Sequence, residues 1–109
     1  MTKTPSPFAK RVYALTEKIP TGKVTTYKAI GQALHSKAYR AIGQILRFNP
    51  NAPEVPCHRV VASDGRLNGF NGSRGQKELT RKTALLKKEG VAVKNYRVVN
   101  FESALFTSL

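Results

Sequence analysis

Cysteine occurs once in this 109-residue chain, at position 57, inside the run Val55-Pro56-Cys57-His58-Arg59-Val60-Val61. A lone cysteine closes no internal disulfide, and one Cys with two His falls short of the four ligands of a structural zinc site. Cys57 therefore works as a free thiol. Its reactive form is the thiolate, a good nucleophile, but an ordinary thiol titrates near about 8.5 and needs help to ionise at neutral pH. The residue types alone leave two readings open: a nucleophile beside a histidine, or a small buried hydrophobe beside a satisfied imidazole.

Four helices and a small hairpin are predicted to position this run. Ser6-Pro7 reads as an N-cap followed by proline at the first helical position, and Phe8, Val12, Leu15 and Ile19 then recur at helical spacing until Pro20 ends the helix. Thr21-Gly22-Lys23 is turn chemistry, Val24 and Thr25 suit a short extended piece, and a second helix over 27–34 carries Ile30, Ala33 and Leu34. After a break at His35-Ser36, residues 37–48 sort onto two faces when placed 100° apart. Ala38, Ile42, Ile45 and Leu46 lie on one side, and Lys37, Arg40, Gln44 and Arg47 lie on the other, with Ala41 and Gly43 at the edges. A short helix, a tight turn and a second helix with a basic outer face suggest a helix-turn-helix whose second helix is the reader.

Asn49-Pro50-Asn51-Ala52-Pro53 stops that helix, Ser63-Asp64-Gly65-Arg66 is predicted as the turn of a small hairpin, and 69–75 is glycine-rich. A last helix is expected over 76–88, carrying Leu79, Leu85 and Leu86, with Gly90 as its stop. The tail holds Tyr96, Val98, Val99, Phe101, Leu105 and Phe106 and is apolar enough to pack back on the domain. The expected fold is mainly α: a helix-turn-helix, winged-helix-like domain with a short β-hairpin. Residues 1–109 are expected to form one domain, with a core at about 7–90 and a tail at 91–109.

Nineteen Lys and Arg against six Asp and Glu give a formal net charge of +13, which draws a polyanion, most simply nucleic acid. The competing partner is an anionic membrane. The sequence has no 18-residue apolar run, no apolar region after Met1 and no lipid-acceptor motif, so a soluble, intracellular protein without membrane contact is expected, in the cytoplasm and nucleoid or in a nucleus.

The whole string decides between the readings of Cys57. Pro56-Cys57-His58-Arg59-Val60-Val61, preceded by Asn49-Pro50 and followed by Gly69-Phe70, resembles the active-site signature of the O6-alkylguanine-DNA alkyltransferases, or methylated-DNA-protein cysteine methyltransferases. Gly22-Lys23-Val24-Thr25-Thr26-Tyr27 and Tyr39-Arg40-Ala41-Ile42-Gly43 also resemble that family's pattern, in the same order, so that the similarity covers roughly 7–90. It implies the family's C-terminal DNA-binding domain.

The resemblance also implies roles. The recognition helix enters the minor groove of double-stranded DNA, Arg40 replaces the target base, and the base is flipped into a pocket over Cys57. Flipping is physically required, since a side chain cannot reach the O6-alkyl carbon in a stacked duplex. Lys37, Gln44 and Arg47 line the DNA face, and the small Ala41 and Gly43 allow close approach. Tyr27 crowds the phosphate beside the lesion. His58 acts as base through a bridging water, Glu89 holds the imidazole and favours its protonated form, and Asn49 braces the turn between the recognition helix and the active-site loop. Tyr27, Val60, Phe70 and Asn71 line the substrate pocket with Cys57. Arg59 pairs structurally with a carboxylate or carbonyls.

The activity implied is DNA repair by stoichiometric transfer of an alkyl group from O6-alkylguanine to Cys57, by a monomer with no metal or organic cofactor. The product is a thioether at a saturated carbon, with no carbonyl for water to attack and no easy leaving group, so each molecule acts once. In three respects the chain departs from the family. Six residues precede the first predicted helix, where most relatives carry a further domain, Phe70 stands where many have a tyrosine able to assist the leaving base, and the stretch 71–82 is longer and more basic than in many relatives. The compact size and long basic 71–82 stretch also resemble the alkyltransferase-like proteins, which flag O6-alkylguanine without repairing it and typically carry tryptophan in place of Cys57. A third reading is a major-groove regulator with an inert Cys57.

Overall fold

The chain's computed structural model describes residues 6–47, 55–67 and 76–109. Helix α1 spans Pro7–Glu17, with the Ser6 hydroxyl accepting a hydrogen bond from the Ala9 amide at 3.1 Å. It stops short of Pro20 because the Lys18 and Ile19 amides bond to the Leu15 and Thr16 carbonyls, a tightened last turn. Strand β1 is only Thr25–Thr26, and Thr26 also caps helix α2, Tyr27–Ala33, by accepting from the Ala29 amide at 3.0 Å.

Helix α2 ends in a Schellman motif. The Ser36 amide bonds to the Gly31 carbonyl and the His35 amide to the Gln32 carbonyl, with His35 itself in the left-handed region at φ 53°. Helix α3 is Tyr39–Arg47 and starts two residues later than its periodicity suggests, since the Ser36 hydroxyl accepts from the Ala38 amide and holds that residue in the turn. Ala38 is consequently exposed rather than on the apolar side, whereas Ile42 and Leu46 are buried and Ile45 is half-buried.

A 3-10 turn, Cys57–Arg59, runs into strand β2, Val60–Val61, which pairs in parallel with β1 in the register Thr25↔Val60 and Thr26↔Val61. This corrects the placement of the hairpin. The chain does turn after Val61, with the Gly65 amide on the Ala62 carbonyl at 2.9 Å, but Val60–Val61 has its ladder partner in β1. The antiparallel hairpin lies in the tail, between β3, Val93–Lys94, and β4, Arg97–Val98. A two-residue run before a turn does not encode which distant strand takes its hydrogen bonds.

Helix α4, Gln76–Lys88, ends with Gly90 at φ +90° and the Val91 amide on the Leu86 carbonyl, a second Schellman motif that leaves Glu89 as the capping residue. Helix α5, Phe101–Ala104, then returns the chain to β1, where the Val24 amide bonds to the Ala104 carbonyl and the Phe106 amide to the Val24 carbonyl. The tail is thus part of the packed structure. Val60 and Val61 point to opposite sides, as successive strand residues must, and each joins a different core. One core holds Val12, Ile19, Ile30, Ile42, Leu46, Cys57 and Val60; the other holds Val24, Val61, Leu67, Leu86, Val91, Val93 and Val98.

The helix-turn-helix depends on a close approach at Gly31. A Cβ there would lie 2.5 Å from the Tyr39 ring and 2.7 Å from the Ser36 carbonyl oxygen, the latter fixed by the Schellman turn. Gly31→Ala is expected to cost about 1–3 kcal/mol by overpacking, seen as a lower urea midpoint at unchanged slope.

Candidate active site

Cys57 is 5% exposed and belongs to the same packed cluster as Ile42 and Leu46 of helix α3. Its backbone is set by the 3-10 turn, in which the Cys57 amide bonds to the Val55 carbonyl at 2.8 Å and the Arg59 amide to the Pro56 carbonyl at 2.9 Å. The parallel ladder places Tyr27, the first residue of α2, one step beyond the strand that pairs with the chain leaving Cys57. Tyr27 is half-buried, and burial and then the negative charge of Cys57 raise its pKa, so the phenol stays protonated.

His58 is buried, with Nε2 3.0 Å from Glu89 Oε2. Arg59 grips the same carboxylate, Nε donating to Oε1 at 2.9 Å and Nη2 to Oε2 at 2.6 Å. Its remaining donors reach the Ile19 carbonyl at 2.8 Å and the Thr21 hydroxyl at 3.1 Å. One guanidinium therefore ties the end of the first helical region, the active-site turn and the end of α4 together. The Arg59 hydrogen bonds, ahead of those from His58, hold the Glu89 carboxyl below the usual carboxylate range.

The His58 imidazole is pushed below its ordinary value. Burial is the largest cause, and it outweighs the upward pull of Glu89, with the charges of Arg59 and Lys82 adding to the depression. Glu89 favours the protonated imidazole, as expected, but burial prevails and leaves His58 neutral at neutral pH. If Nε2 carries the proton toward Glu89, the lone pair sits on Nδ1, which is the state a proton acceptor needs.

Lys82 has no counterpart among the residues singled out from sequence. It is fully buried in α4, and its Nζ donates to the Val60 carbonyl at 2.7 Å. Burial pushes its pKa down to about 7, against the opposing pull of the Cys57 charge. A signal was present: Leu79, Lys82 and Leu86 fall at helical spacing on the stripe that α4 buries. In a helix that also carries Lys77, Arg81, Lys87 and Lys88, one more lysine passes as solvated.

Cys57, His58, Val60, Glu89 and Tyr27 come together around the 3-10 turn and the parallel ladder. Arg40, Ala41, Gln44 and Arg47 are exposed on α3, Lys37 is exposed just before it, and Gly43 is half-buried with nothing within 4 Å of an added Cβ. Asn49, Phe70 and Asn71 lie outside the described residues. Among the described residues, no group of three or more His, Cys, Asp and Glu could hold a metal ion, and no helix is long and apolar enough to cross a membrane. A thiol beside a neutral, carboxylate-held imidazole and a buried amine has the parts to give up its proton and attack a saturated carbon.

Residues 7–91 match the family described as 6-O-methylguanine DNA methyltransferase, DNA binding domain. The chain belongs to this family. Its mainly helical helix-turn-helix fold and small sheets are those of the family's DNA-binding domain. The chain is 45% identical over 87 residues to the methylated-DNA–protein-cysteine methyltransferase of Saccharolobus islandicus, an alignment that covers 80% of this chain and 53% of that protein. It thus spans about half the length of the curated relatives it matches. Among solved structures it is similar to S. pombe Atl1 in complex with damaged DNA containing O6-carboxymethylguanine, at TM-score 0.79 and 25% identity, covering 95% of this chain and 98% of that one. The Mycobacterium tuberculosis O6-methylguanine methyltransferase matches at TM-score 0.66 and 36% identity, covering 79% of this chain and 50% of that one.

Two stability measurements probe the site. The folded pKa of Lys82, about 7, lies below its ordinary 10.5, so the unfolded chain binds the extra proton between those values. This residue therefore makes stability rise as pH increases from about 7 towards 9, and Lys82→Met should flatten that rise in Tm while raising Tm at pH 7. Glu89→Gln strips the charge from a pair whose side chains are only 15% and 16% exposed. It is expected to cost about 3 kcal/mol in denaturant unfolding at pH 7. Because Glu89's folded pKa is depressed, that difference should shrink as pH falls through and below the ordinary carboxyl value of 4.5.

Proposed function

We propose that this chain, acting as a single domain and a monomer, repairs DNA by accepting an alkyl group from O6-alkylguanine in double-stranded DNA onto Cys57. The observation that carries the reading is the near-buried Cys57 thiol, adjoining a neutral His58 held by Glu89 and packed in one core with the buried face of a basic recognition helix. In the reaction the Cys57 proton passes to His58, directly or through water. The thiolate forms a C–S bond to the alkyl carbon, the C–O6 bond breaks, and its electron pair leaves with guanine, which then takes up a proton. Lys82 contributes positive charge where the thiolate develops.

On the DNA side, α3 lies in the minor groove, with Arg40 in the space of the flipped base and Lys37, Gln44 and Arg47 on the sugar-phosphate backbone. Exposed Ala41 and half-buried Gly43 let the helix come close. Tyr27, kept protonated, rotates the lesion nucleotide towards Cys57. Asn49 braces the turn after α3, and Val60, Phe70 and Asn71 wall the pocket. With Phe70 unable to donate a hydrogen bond, backbone amides near Phe70 and Asn71 assist the leaving base. The protein acts inside the cell, where its DNA is.

One observation favours a second reading, recognition of the lesion without transfer. The chain matches S. pombe Atl1, itself solved with damaged DNA, almost end to end. Intact-protein mass after incubation with an O6-methylguanine duplex separates the two. Gain of one methyl group per chain is expected, with none in Cys57→Ala or with undamaged duplex. Damage-selective binding without a mass gain would establish lesion flagging instead.

A further inference from the structure

The half of the molecule built on the second core carries a basic cavity that alkyl transfer does not use. Its volume is ≈ 580 Å³, within the range of about 300–1,000 Å³ typical of ligand sites, and its lining includes Arg66, Lys94, Tyr96, Arg97, Leu79 and Val99. Helix α3 packs instead on α1 and α2, around the first core.

Three cations stand side by side there. Lys94 is the direct cross-strand partner of Arg97 in the β3–β4 ladder, and Arg66 bridges to Arg97 from the other side. Directly opposed residues project from the same face of a sheet, and like charges so placed repel. Asp64 answers two of them, at 3.2 Å from Arg66 and 3.6 Å from Arg97, with side chains that are half exposed or more. The row remains net positive and open to solvent.

The turn of the same hairpin is also unusual. Its two central residues, Asn95 and Tyr96, both have positive φ, 52° and 58°. Two-residue loops of this kind favour Asn followed by Gly, because a bulky residue is strained in the left-handed region. Tyr96 occupies the glycine position and brings a half-buried ring to the cavity. Repelling cations and a left-handed backbone at a tyrosine each carry a local cost, even with the ring resting partly on the second core, and both converge on one concave surface. Strain kept in one place points to use there.

We propose that this hairpin cavity is a second nucleic-acid site, which takes an unpaired strand by stacking a base on Tyr96 and seating its phosphates on Lys94, Arg97 and Arg66. An aromatic face among cations is the arrangement that binds single strands without sequence preference. An acidic peptide would use the charges but has no need of an aromatic platform held in a strained turn. The site is independent of Cys57 chemistry, so its failure leaves the alkyl-transfer reading untouched.

The test is fluorescence anisotropy with labelled oligothymidylate of about ten nucleotides, within the span of known single-strand sites, on the full chain, alone and saturated with unlabelled undamaged duplex. The oligonucleotide should bind in both cases. Tyr96→Leu should weaken it about tenfold, the loss of one stacked base, while keeping an apolar side chain against the second core. Arg66→Gln, Lys94→Gln and Arg97→Gln combined should reduce the slope of log affinity against log salt by about 2, with methyl transfer to Cys57 unchanged. Complete displacement by duplex, or indifference to these substitutions, would overturn the proposal. Poly-glutamate binding as tightly as oligothymidylate, with no dependence on Tyr96, would also overturn it and assign the cations to an acidic protein partner.

Discussion

The ion pair between Arg59 and Glu89 is the interaction on which the site hangs. Both carboxylate oxygens are taken by one guanidinium, whose other donors hold the Ile19 carbonyl and the Thr21 hydroxyl, while His58 shares Oε2. Four stretches of chain meet there: the end of the first helical region, the loop after it, the active-site turn and the cap of α4. A pair this shielded contributes little net stability over an apolar substitute, but it defines one geometry and is costly to break from one side. Here the geometry held is that of the imidazole next to the thiol.

Around that pair the first core and its borders collect charge in an unfavourable medium. Burial depresses both His58 and Lys82, and raises Tyr27. Two of the shifts suit the chemistry: a neutral imidazole is ready to receive a proton, and a protonated phenol carries no competing negative charge. Burial takes positive charge from Lys82, and a negative charge on Cys57 draws it back. Each shift has burial as its first cause, which favours the uncharged form.

Two residues of parallel strand do much of the positioning. Thr26 ends β1, pairs with Val61 and caps α2, so a single residue passes the position of the active-site turn on to the helix-turn-helix. Val60 and Val61 face opposite cores, and the carbonyl of Val60 is bonded to Lys82 from α4. The tail closes the arrangement from the other edge of β1, through the bonds of Val24 to Ala104 and Phe106. Helix α3 and Cys57 are thereby positioned by a short ladder.

Local chemistry was legible in the sequence by itself. Ser6-Pro7 capped α1, Gly90 ended α4, the periodicity of Ile42, Ile45 and Leu46 set the inner face of α3, and the motif about Cys57 and His58 pointed to the candidate site. These signals act over a few residues, through φ restrictions, capping bonds and helical spacing, so they are written where they operate. The tertiary structure alone decided which strand Val60–Val61 would join, that the hairpin would form in the tail, that Lys82 would be buried and that His58 would stay neutral despite Glu89. The pairing of Val60–Val61, the burial of Lys82 and the state of His58 depend on desolvation and on contacts between residues about 20 to 35 positions apart, which local spacing does not encode, while the hairpin closes on Asn95-Tyr96 without the glycine that would mark its turn.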